Sequence, residues 1–568
     1  MLFASFDFLI FFAVAFTGYW LLSRRAVAQA LLVTVGSYFF YMAGPKPVDG
    51  WLPTPWYFVG LLLLSTLVDF YCGKEITRAR CALSKTKEAP LAKDERAGGT
   101  WLALSLVANL GLLGYFKYTG FLFEAAEDIS AAFGGVLSLP ALQLALPIGI
   151  SFYTFQSLSY TIDVYRGRLQ AESSLLSFAC FVAFFPQLVA GPIVRASEFL
   201  PQLKARRSLS SEDVDAAVWR ITKGLLKKVV LGDFIAVYFA DIVFATPGEH
   251  SSLENLVALY AFTLQIYADF SGYSDIAIGV ARLLGFTLPE NFERPYQATD
   301  VADFWRRWHM TLSRWLRDYL YYPLGGSRVS STRSYVNLWL TMFLVGMWHG
   351  ASWNFVIYSN LQAAAMLFNR FVKRRESNRK GHVQLLTVSL VLGGLFAWLC
   401  SRVLLIGSFE LCGAGVTMLC LAIGYLPSSK EAERWRPVHI FLTLHFSVFS
   451  RVFFRSEDLG HARAMIGKLI SVDGLGVRSG MFRIQGLSLW LEQHSVLSFA
   501  KPLAEWGILL ILLAGFAIHY VPSAKVEAAA ARFIPRVPGI VLGVSLAMIL
   551  ALLSILLSGP RANIYFAF

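Results

Sequence analysis

The sequence predicts an all-α polytopic membrane protein, and three observations support this fold class. The 568 residues are 56% hydrophobic and only 15% charged, whereas soluble globular domains carry roughly 25% charged residues. Mean hydropathy is +0.55, and several apolar runs approach the ~20 residues that cross a bilayer as a helix. The 50 basic residues outnumber the 37 acidic ones and lie mainly between these runs, as is typical of cytoplasmic loops. We therefore expect the lipid bilayer as a partner, and no nucleic acid.

The first apolar run, Met1–Leu22, is predicted to be a retained span with its N-terminus outside. A signal peptide carries positive charge before its apolar stretch, whereas Arg24 and Arg25 follow this one. Residues 44–54 contain one Lys or Arg, and residues 74–99 contain seven. Cytoplasmic loops are enriched in these residues, so we expect the first interval outside and the second in the cytoplasm.

The apolar stretch Leu175–Ile193 is predicted to enter and leave the membrane on the cytoplasmic side. It lies inside residues 166–228, which contain ten Lys or Arg, so both of its ends are expected in the cytoplasm. Pro186, Gly191 and Pro192 disfavour a continuous helix there. A re-entrant segment accounts for both features.

The run Tyr335–Phe371 is too long for one span. A continuous helix of about 37 residues would measure roughly 55 Å, against a hydrocarbon core of about 30 Å, and both flanks are basic. A helix broken near Gly346 and Gly350 resolves this conflict. We expect roughly 11 to 13 membrane segments in all. The remaining spans are predicted at residues 101–123, 147–162, 229–245, 253–284, 383–406, 411–426, 438–454, 506–521 and 539–557.

His349 is the strongest catalytic candidate. It is the only Asp, Glu, Lys, Arg or His between Arg333 and Arg370, and an ionisable group at membrane depth is costly and often functional. An imidazole ordinarily titrates near neutral pH, and such a group can serve as a general base. A structural hydrogen bond in the interior is the alternative. Neighbouring side chains predicted to line the same site are Trp348, Trp353 and Asn354.

Residues Asp303–Leu320 are predicted to form an interfacial helix on the cytoplasmic leaflet. At 100° per residue, its large apolar side chains share one face and its arginines another. Arg306, Arg307 and Arg314 are expected to bind either anionic lipid headgroups or the phosphates of an anionic donor. His309 lies at the border of the apolar face, where it can point inward as a second catalytic candidate.

Polar groups also interrupt the run Gln265–Asp275 and the segment that follows it. Carboxylates and hydroxyls in an apolar run indicate either the wall of an internal channel or a hydrogen-bond network between helices. The residues concerned are Asp269, Ser271, Asp275 and Asn291. Asp69, Lys117 and Asp163 lie near span ends and are predicted to snorkel or to cap.

Several other chemistries have no signature in the sequence. It contains no G-x-S-x-G elbow, Walker loop or H-E-x-x-H motif, and its nine histidines lack metal-ligand spacing. The six cysteines form no C-x-x-C pair. We therefore expect neither a bound metal nor a bound cofactor. The histidines to which no role is assigned include His439, His445, His461, His494 and His519.

Four segments resemble the motifs of the membrane-bound O-acyltransferase family. They are Asp303–Leu320 and Gly346–Trp353, preceded by Gln265–Asp275 and Pro289–Phe292. Residues Arg451–Arg455 are also family-like. The resemblance is closest to the branch that O-acetylates bacterial polysaccharides such as alginate.

The resemblance covers residues 1–568 as one domain, with its motifs densest in residues 147–371 and its C-terminal helices, 383–568, less informative. It implies a ring of tilted helices around a central tunnel, with re-entrant and interfacial helices. It also implies that His349 is the family's invariant histidine and that His309 matches the second histidine or equivalent polar residue.

The implied reaction moves an acyl group, expected to be acetyl, from a cytoplasmic thioester toward the external side. The expected donor substrate is acetyl-CoA, and the expected acceptor is an extracytoplasmic polysaccharide or a periplasmic acetyltransferase. That enzyme and a polysaccharide biosynthesis and export complex are the expected partners, at the bacterial cytoplasmic membrane.

Three alternatives remain open from the sequence. The first is D-alanyl transfer from a carrier protein toward teichoic acid. The second is a proton-coupled transporter that uses His349, Asp269 and Asp275 as a relay. The third is a structural scaffold for a polysaccharide export complex.

Overall fold

A computed structural model describes most of the chain. The described residues are 3, 5–43, 56–85, 97–140, 142, 144–205, 208–376, 382–402, 416, 418–419, 432–471, 476–477, 480–483, 505–522, 525–526, 528–529 and 532. The predicted segment 539–557, nearly all of 411–426 and the loop 44–54 lie outside the described residues.

The chain folds as two compact units. Unit 1 comprises Met1–Lys228, Phe270–Asn291 and Val526–Phe568, and unit 2 comprises Val229–Asp269 and Phe292–Lys525. Described residues of both units form helices, turns and irregular segments, with no β-strand among them. The expected all-α class is therefore confirmed for the part of the chain that the structure describes.

Unit 1 consists of long helices with shorter helices between them. Its helices are α1 (Phe6–Leu21), α2 (Ala26–Met42), α3 (Trp56–Lys85), α4 (Gly99–Ala132), α5 (Ile150–Tyr165), α6 (Leu175–Ala183), α7 (Phe185–Leu188), α8 (Ala196–Lys204) and α9 (Ser211–Leu226). After α9, π-helical turns at Lys227–Asp233 and Ala236–Ala240 lead into α10 (Asp241–Ala245). The next helix, α11 (Ser252–Leu283), contributes residues to both units.

Unit 2 holds most of the sequence motifs. Its further described helices are α12 (Val301–Arg307), α13 (Met310–Leu316), α14 (Ser331–His349), α15 (Trp353–Glu376), α16 (His382–Arg402), α17 (Ala432–Arg455), α18 (Leu459–Ser471) and α19 (Gly507–Tyr520). A π-helical turn, Arg317–Tyr321, follows α13.

Large apolar side chains are exposed along one face of several helices. On α4 these include Leu104, Val107 and Leu110, and Val107 is 71% exposed. Spacing of three or four residues places such side chains on one helix face, and broad exposed apolar surfaces mark contact with a membrane or a partner. Two described helices, Gly99–Ala132 and Glu433–Arg455, are long and apolar enough to cross a membrane. Four shorter described helices are also apolar.

Asp69 corrects one sequence-based expectation, because it is fully buried and does not snorkel. Ser105 Oγ donates to its Oδ1 at 2.6 Å, and Asn109 Nδ2 donates to its two oxygens at 2.9 and 3.0 Å. Ser105 Oγ also lies 3.0 Å from Thr161 Oγ1. The network joins α3, α4 and α5. Chain position alone could not reveal that this carboxylate faces other helices.

The segment Leu175–Ile193 is not one continuous helix, as its prolines and glycine predicted. Helix α6 ends at Ala183, Phe184 turns the chain, and the four-residue α7 holds Pro186 in its first turn. Residues 178–194 are all buried. Short helical pieces with a buried turn fit a re-entrant segment, whose side of the membrane stays a prediction.

Candidate active site

The long apolar run folds as a helical hairpin broken at Gly350. Helix α14 ends at His349, Gly350 has an extended backbone (φ −164°, ψ 161°), and α15 begins at Trp353. Gly346 lies within α14, where a Cβ atom would stand 2.8 Å from the Cα of Ser359 on α15. The predicted break is therefore confirmed at Gly350, and Gly346 instead permits close contact between the two helices.

The hairpin brings together the two histidines that the sequence singles out. The ring centroids of His309 and His349 are 6.4 Å apart. Trp348 contacts both rings, at 5.5 Å from His309 and 5.1 Å from His349. His309 is 0% exposed and His349 is 3% exposed. Two imidazoles thus share a buried aromatic environment, although they lie 40 positions apart in the sequence.

The predicted interfacial helix Asp303–Leu320 is wrong as a continuous element. Helix α12 ends at Arg307, Trp308 is extended, and His309 has a left-handed backbone with φ 43°. At this interruption Trp308 packs on Phe292 and His309 packs on Trp348.

The apolar face predicted for this segment is nevertheless buried. Its six large side chains are each at most 8% exposed. They are Trp305, Trp308, Leu312, Trp315, Leu316 and Tyr319. Burial of the face does not depend on continuity of the helix, because each short helix keeps its own spacing of three and four residues.

The arginines on the other face are partly neutralised. Asp303 accepts from Arg306 Nη2 at 3.2 Å and from Arg307 Nε at 3.0 Å. The Arg306 side chain is 62% exposed and that of Arg307 28%, while Arg314 is of intermediate exposure. Their predicted contact with a donor or with lipid headgroups stays a prediction.

Asp300 connects the start of α12 to the end of α15. Its carboxylate accepts from the Asp303 amide at 2.8 Å and from Lys373 Nζ at 2.8 Å. Burial raises the pKa of Asp300, but the hydrogen bonds from Lys373 and from the Asp303 amide outweigh burial and hold the pKa below its usual value. The motif segment is therefore fixed to the hairpin at its charged end.

Polar contacts also attach α17 to this site. The Trp305 indole donates to Gln362 Oε1 at 3.3 Å, and Gln362 Nε2 donates to Ser450 Oγ at 3.1 Å. Asn354 Nδ2 donates to the backbone oxygen of Ser456 at 2.8 Å. Asn354, predicted as a lining residue, thus anchors the end of α17, while Trp353 is partly buried at the start of α15.

The predicted lining residues of residues 269–291 divide between the two units. Asp269, in unit 2, is buried, and its Cα would stand 3.4 Å from a Cβ placed on Gly232. In unit 1, Ser271 is buried. Asn291, also buried in unit 1, donates from Nδ2 to Ser274 Oγ at 3.3 Å. Their role in a tunnel stays a prediction.

Asp275 lies in an ion-pair cluster of unit 1. Its oxygens are 2.7 Å from Arg220 Nε, 3.5 Å from Lys223 Nζ and 2.8 Å from Lys227 Nζ. Arg220 also pairs with Glu290. The Asp275 side chain is only 6% exposed. Three cations around one buried carboxylate give Asp275 a structural explanation that requires no substrate.

Distant helices contribute residues to which the sequence analysis assigned no role, although it had identified Arg451–Arg455 as family-like. Phe454 on α17 contacts the His349 ring at 5.4 Å. Arg451, one turn earlier, places its guanidinium 4.8 Å from the Trp308 ring centroid. His519, given no role above, accepts from the Tyr296 amide at 3.2 Å. No local signal could reveal this last contact, since 223 positions separate its partners.

No group of three or more His, Cys, Asp or Glu suited to a metal ion occurs among the residues that the structure describes. The described chemistry of the site consists of two imidazoles, aromatic rings and amide, hydroxyl and guanidinium groups. These groups can accept a proton, donate hydrogen bonds and exclude water.

The exposed apolar faces and the buried histidines of the described residues indicate a mostly helical membrane protein with an interior polar site. The sequence model of the membrane-bound O-acyltransferase family matches residues 168–409. The chain belongs to this family.

Comparison with individual proteins shows which members of the family this chain is similar to. The chain is 40% identical to the probable alginate O-acetylase of Pseudomonas aeruginosa over 361 residues, which cover 63% of this chain and 64% of that protein. It is 40% identical to the probable alginate O-acetylase of Pseudomonas putida, covering 63% and 68% of the two chains. For the peptidoglycan O-acetyltransferase of Helicobacter pylori the identity is 40%, over 48% of this chain and 55% of the other. The match thus spans slightly less than two thirds of the first of these relatives.

Proposed function

We propose that the protein is a membrane O-acyltransferase that carries an acetyl group from cytoplasmic acetyl-CoA toward an extracytoplasmic acceptor. The observation that carries the proposal is the pair of buried imidazoles, His309 and His349, 6.4 Å apart beside the break in the hairpin. Family membership supplies the reaction class. The names of the relatives, which include alginate and peptidoglycan O-acetylation, favour acetyl as the acyl group.

In the proposed mechanism, His349 is the general base. Its imidazole accepts the proton of an acceptor hydroxyl while the hydroxyl oxygen forms a bond to the thioester carbonyl carbon. The carbonyl electron pair moves to oxygen and gives a tetrahedral oxyanion. When this intermediate collapses, the carbon–sulfur bond breaks and the imidazolium returns its proton to the leaving thiolate. The products are an acetyl ester, a thiol and neutral His349.

His309 is proposed as the second catalytic imidazole. It is fully buried and shares the Trp348 ring with His349. A neutral imidazole can donate one hydrogen bond and orient either the acceptor or the thioester. Trp348, Trp353, Asn354, Asp269, Ser271, Asp275 and Asn291 are proposed lining residues. Arg306, Arg307 and Arg314 are proposed at the donor mouth, with lipid headgroups as the competing ligand.

The acceptor is proposed to be a polysaccharide or a periplasmic acetyltransferase that modifies one. Relatives are named for two different carbohydrate polymers, which supports a carbohydrate pathway without selecting the polymer. The proposed setting is the bacterial cytoplasmic membrane, beside a polysaccharide biosynthesis and export complex. In the proposed arrangement the N-terminus is outside, and roughly 11 to 13 segments surround a tunnel as one catalytic domain.

D-Alanyl transfer toward teichoic acid is the second candidate. The teichoic acid D-alanyltransferase of Bacillus subtilis is 27% identical to this chain over 348 residues, which cover 86% of that protein. The lower identity makes acetyl transfer the better-supported reaction. Both reactions use a thioester donor, so the two proposals share the role of His349.

The decisive experiment measures transfer from radiolabelled acetyl-CoA by purified protein in lipid vesicles. It is run with and without a co-expressed periplasmic acetyltransferase. We expect His349→Ala to lower turnover by at least ~100-fold, the size of a typical general-base contribution. Membrane insertion should be unchanged, because the substitution removes a costly polar group.

His461→Ala is the matched control. His461 lies on α18, is partly exposed and pairs with Asp458 at 3.0 Å, and we expect it to keep the wild-type rate. Full activity of His349→Ala would refute the catalytic assignment. Inactive but folded wild-type protein that accepts D-alanine from a carrier protein would instead favour the second candidate.

A further inference from the structure

Arg451 is a buried cation on α17 whose charge no carboxylate of the described residues neutralises. The residue is only 5% exposed. The guanidinium carbon lies 4.8 Å from the centroid of the Trp308 ring. Nη2 lies 3.4 Å from Tyr296 Oη. Its Nε makes no hydrogen bond among the described residues. Guanidinium stays protonated in proteins, so the positive charge is permanent.

Arg455, the next arginine on the same helix, also has an Nε without a hydrogen bond among the described residues, but it has a carboxylate partner. Arg455 Nη2 pairs with Asp241 Oδ1 at 2.8 Å. Its guanidinium also lies over the Phe244 and Phe262 rings, at 5.6 and 5.9 Å. Arg455 therefore has both a carboxylate and aromatic neighbours. Arg451 has only the aromatic contacts and one long hydrogen bond.

A cation in this setting is costly unless an anion accompanies it. Removing a guanidinium from water costs more than a single cation–π contact returns, and a hydrogen bond of 3.4 Å is weak. Tyr296 supplies no negative charge, because its hydroxyl donates to the backbone oxygen of Thr263. The described residues thus provide a fixed positive charge with an unbonded Nε and no carboxylate partner.

Two neighbours of Arg451 connect it to the surroundings of the histidines. The indole beneath the guanidinium belongs to Trp308, the residue that precedes His309. Phe454, three residues after Arg451, lies one turn along the same face of α17 and touches the His349 ring. Arg451 therefore packs on the segment that holds His309 and lies one turn from a residue that contacts His349.

We propose that Arg451 is a catalytic residue that stabilises the oxyanion formed when the acceptor attacks the thioester carbonyl. This inference rests on the proposed function and identifies a group that its mechanism requires. The phosphates of the donor are separated from its thioester by the pantetheine arm. When the thioester reaches His349, the charge that the reaction creates is the nearest anion available to Arg451.

Each electron pair and the proton have a defined destination in the transfer step. As the hydroxyl oxygen bonds to the carbonyl carbon and His349 takes the proton, the carbonyl π pair becomes the oxyanion lone pair that Arg451 stabilises. Re-formation of the carbonyl expels the thiolate, which takes the proton from His349. Arg451 keeps its protons throughout, and its effect falls on the intermediate and the flanking transition states.

The test compares Arg451→Met and Arg451→Lys with wild type and with Arg455→Met, using labelled acetyl-CoA. Loss of an oxyanion donor should lower kcat by at least ~100-fold in Arg451→Met, with the KM for acetyl-CoA within about threefold of wild type. Arg451→Lys should fold normally and lose at least ~10-fold in kcat, because one ammonium cannot reproduce the fork of donors. Arg455→Met should keep kcat within about threefold.

Results that contradict the role of Arg451 can be distinguished from results that contradict the proposed function. Wild-type kcat in Arg451→Met or Arg451→Lys would overturn the inference, and so would a change confined to KM, which indicates ground-state binding of an anion. If Arg451→Met does not fold, the kcat of folded Arg451→Lys decides. Inactive wild-type protein would instead refute the proposed function, since no difference between variants could then be measured.

Discussion

His309 has a backbone conformation that most residues avoid. With φ 43°, it occupies the left-handed region, where Asn, Asp and His are several-fold enriched over other non-glycine residues. The conformation turns the chain between α12 and α13 and directs the imidazole toward Trp348. The residue therefore has two separable properties, a tolerated backbone angle and an imidazole ring.

We expect substitutions of His309 to separate these two properties. His309→Asn keeps a side chain suited to the left-handed region, so thermal stability in detergent should remain close to wild type while transfer falls by at least ~10-fold. His309→Val should lose activity and also about 1–2 kcal/mol of stability, because a β-branched residue is strained there. Unfolding midpoints and transfer rates, measured on the same preparations, check both. Equal stability of the two variants would contradict the backbone argument.

Asp275 tests whether a predicted lining residue is structural. Asp275→Asn leaves Arg220, Lys223 and Lys227 around a neutral amide, and loss of one partner of a buried ion pair commonly costs about 3–5 kcal/mol. We expect a clear fall in the unfolding midpoint. Glu290→Gln is the control, since the Glu290 side chain is 53% exposed and should contribute less than about 1 kcal/mol. If Asp275→Asn has normal stability but no longer transfers the acyl group, Asp275 would instead be a tunnel-lining residue.

For single residues, the sequence identified which ionisable side chains lie in the interior but did not identify the residues that they contact. His349 stood out because charged residues are absent around it, and burial confirms that it is an interior group. The partners of Arg451 and His519 lie 143 and 223 positions away. Such pairings depend on tertiary packing, which periodicity does not encode.

The hairpin formed by α14 and α15 is the element on which the site depends. Ser359 of α15 approaches Gly346 so closely that no side chain fits between them. Small residues allow such approach between helix backbones. The position of His349, three residues after Gly346, is fixed by this contact.

Gly346→Ala is expected to separate the two helices. A Cβ atom there would stand 2.8 Å from the Ser359 Cα, so the backbones must move apart. We expect a loss of about 1–3 kcal/mol and a marked fall in transfer, measured by thermal unfolding and by the labelled-donor assay.

The control for this substitution is Gly394→Ala on α16, where a Cβ would meet nothing within 4 Å. It should leave transfer unchanged and stabilise the helix slightly, because alanine has the higher helix propensity. Identical effects of the two substitutions would show that transfer does not require the close approach of the two helices at Gly346.

Among elements, the sequence located breaks that follow from length or from proline but missed the one at Trp308. The span Tyr335–Phe371 exceeded the bilayer thickness, and Pro186 could not continue a helix. The break at Trp308 and His309 has no proline or glycine to signal it. At this break Trp308 packs on Phe292 and His309 on Trp348, which are contacts that the local sequence does not reveal.

The whole molecule presents apolar faces that a soluble protein would cover. We expect Val107→Lys, on the exposed face of α4, to reduce membrane insertion and folded yield, since a lysine at the centre of a span costs about 3 kcal/mol. Val136→Lys is the control, because Val136 is 100% exposed in the irregular segment after α4. Folded yield is measured by size-exclusion chromatography of a fluorescent fusion. Equal yields would argue that this face of α4 does not contact lipid.

The contact between His349 and Phe454 has a consequence for biosynthesis. The ribosome produces the hairpin tip about a hundred residues before the end of α17, which corresponds to roughly 5–20 s of translation at ordinary rates. During that interval a nascent chain holds both histidines and Trp348 but not Phe454. A chain truncated before Phe454 therefore lacks one of the aromatic contacts of His349.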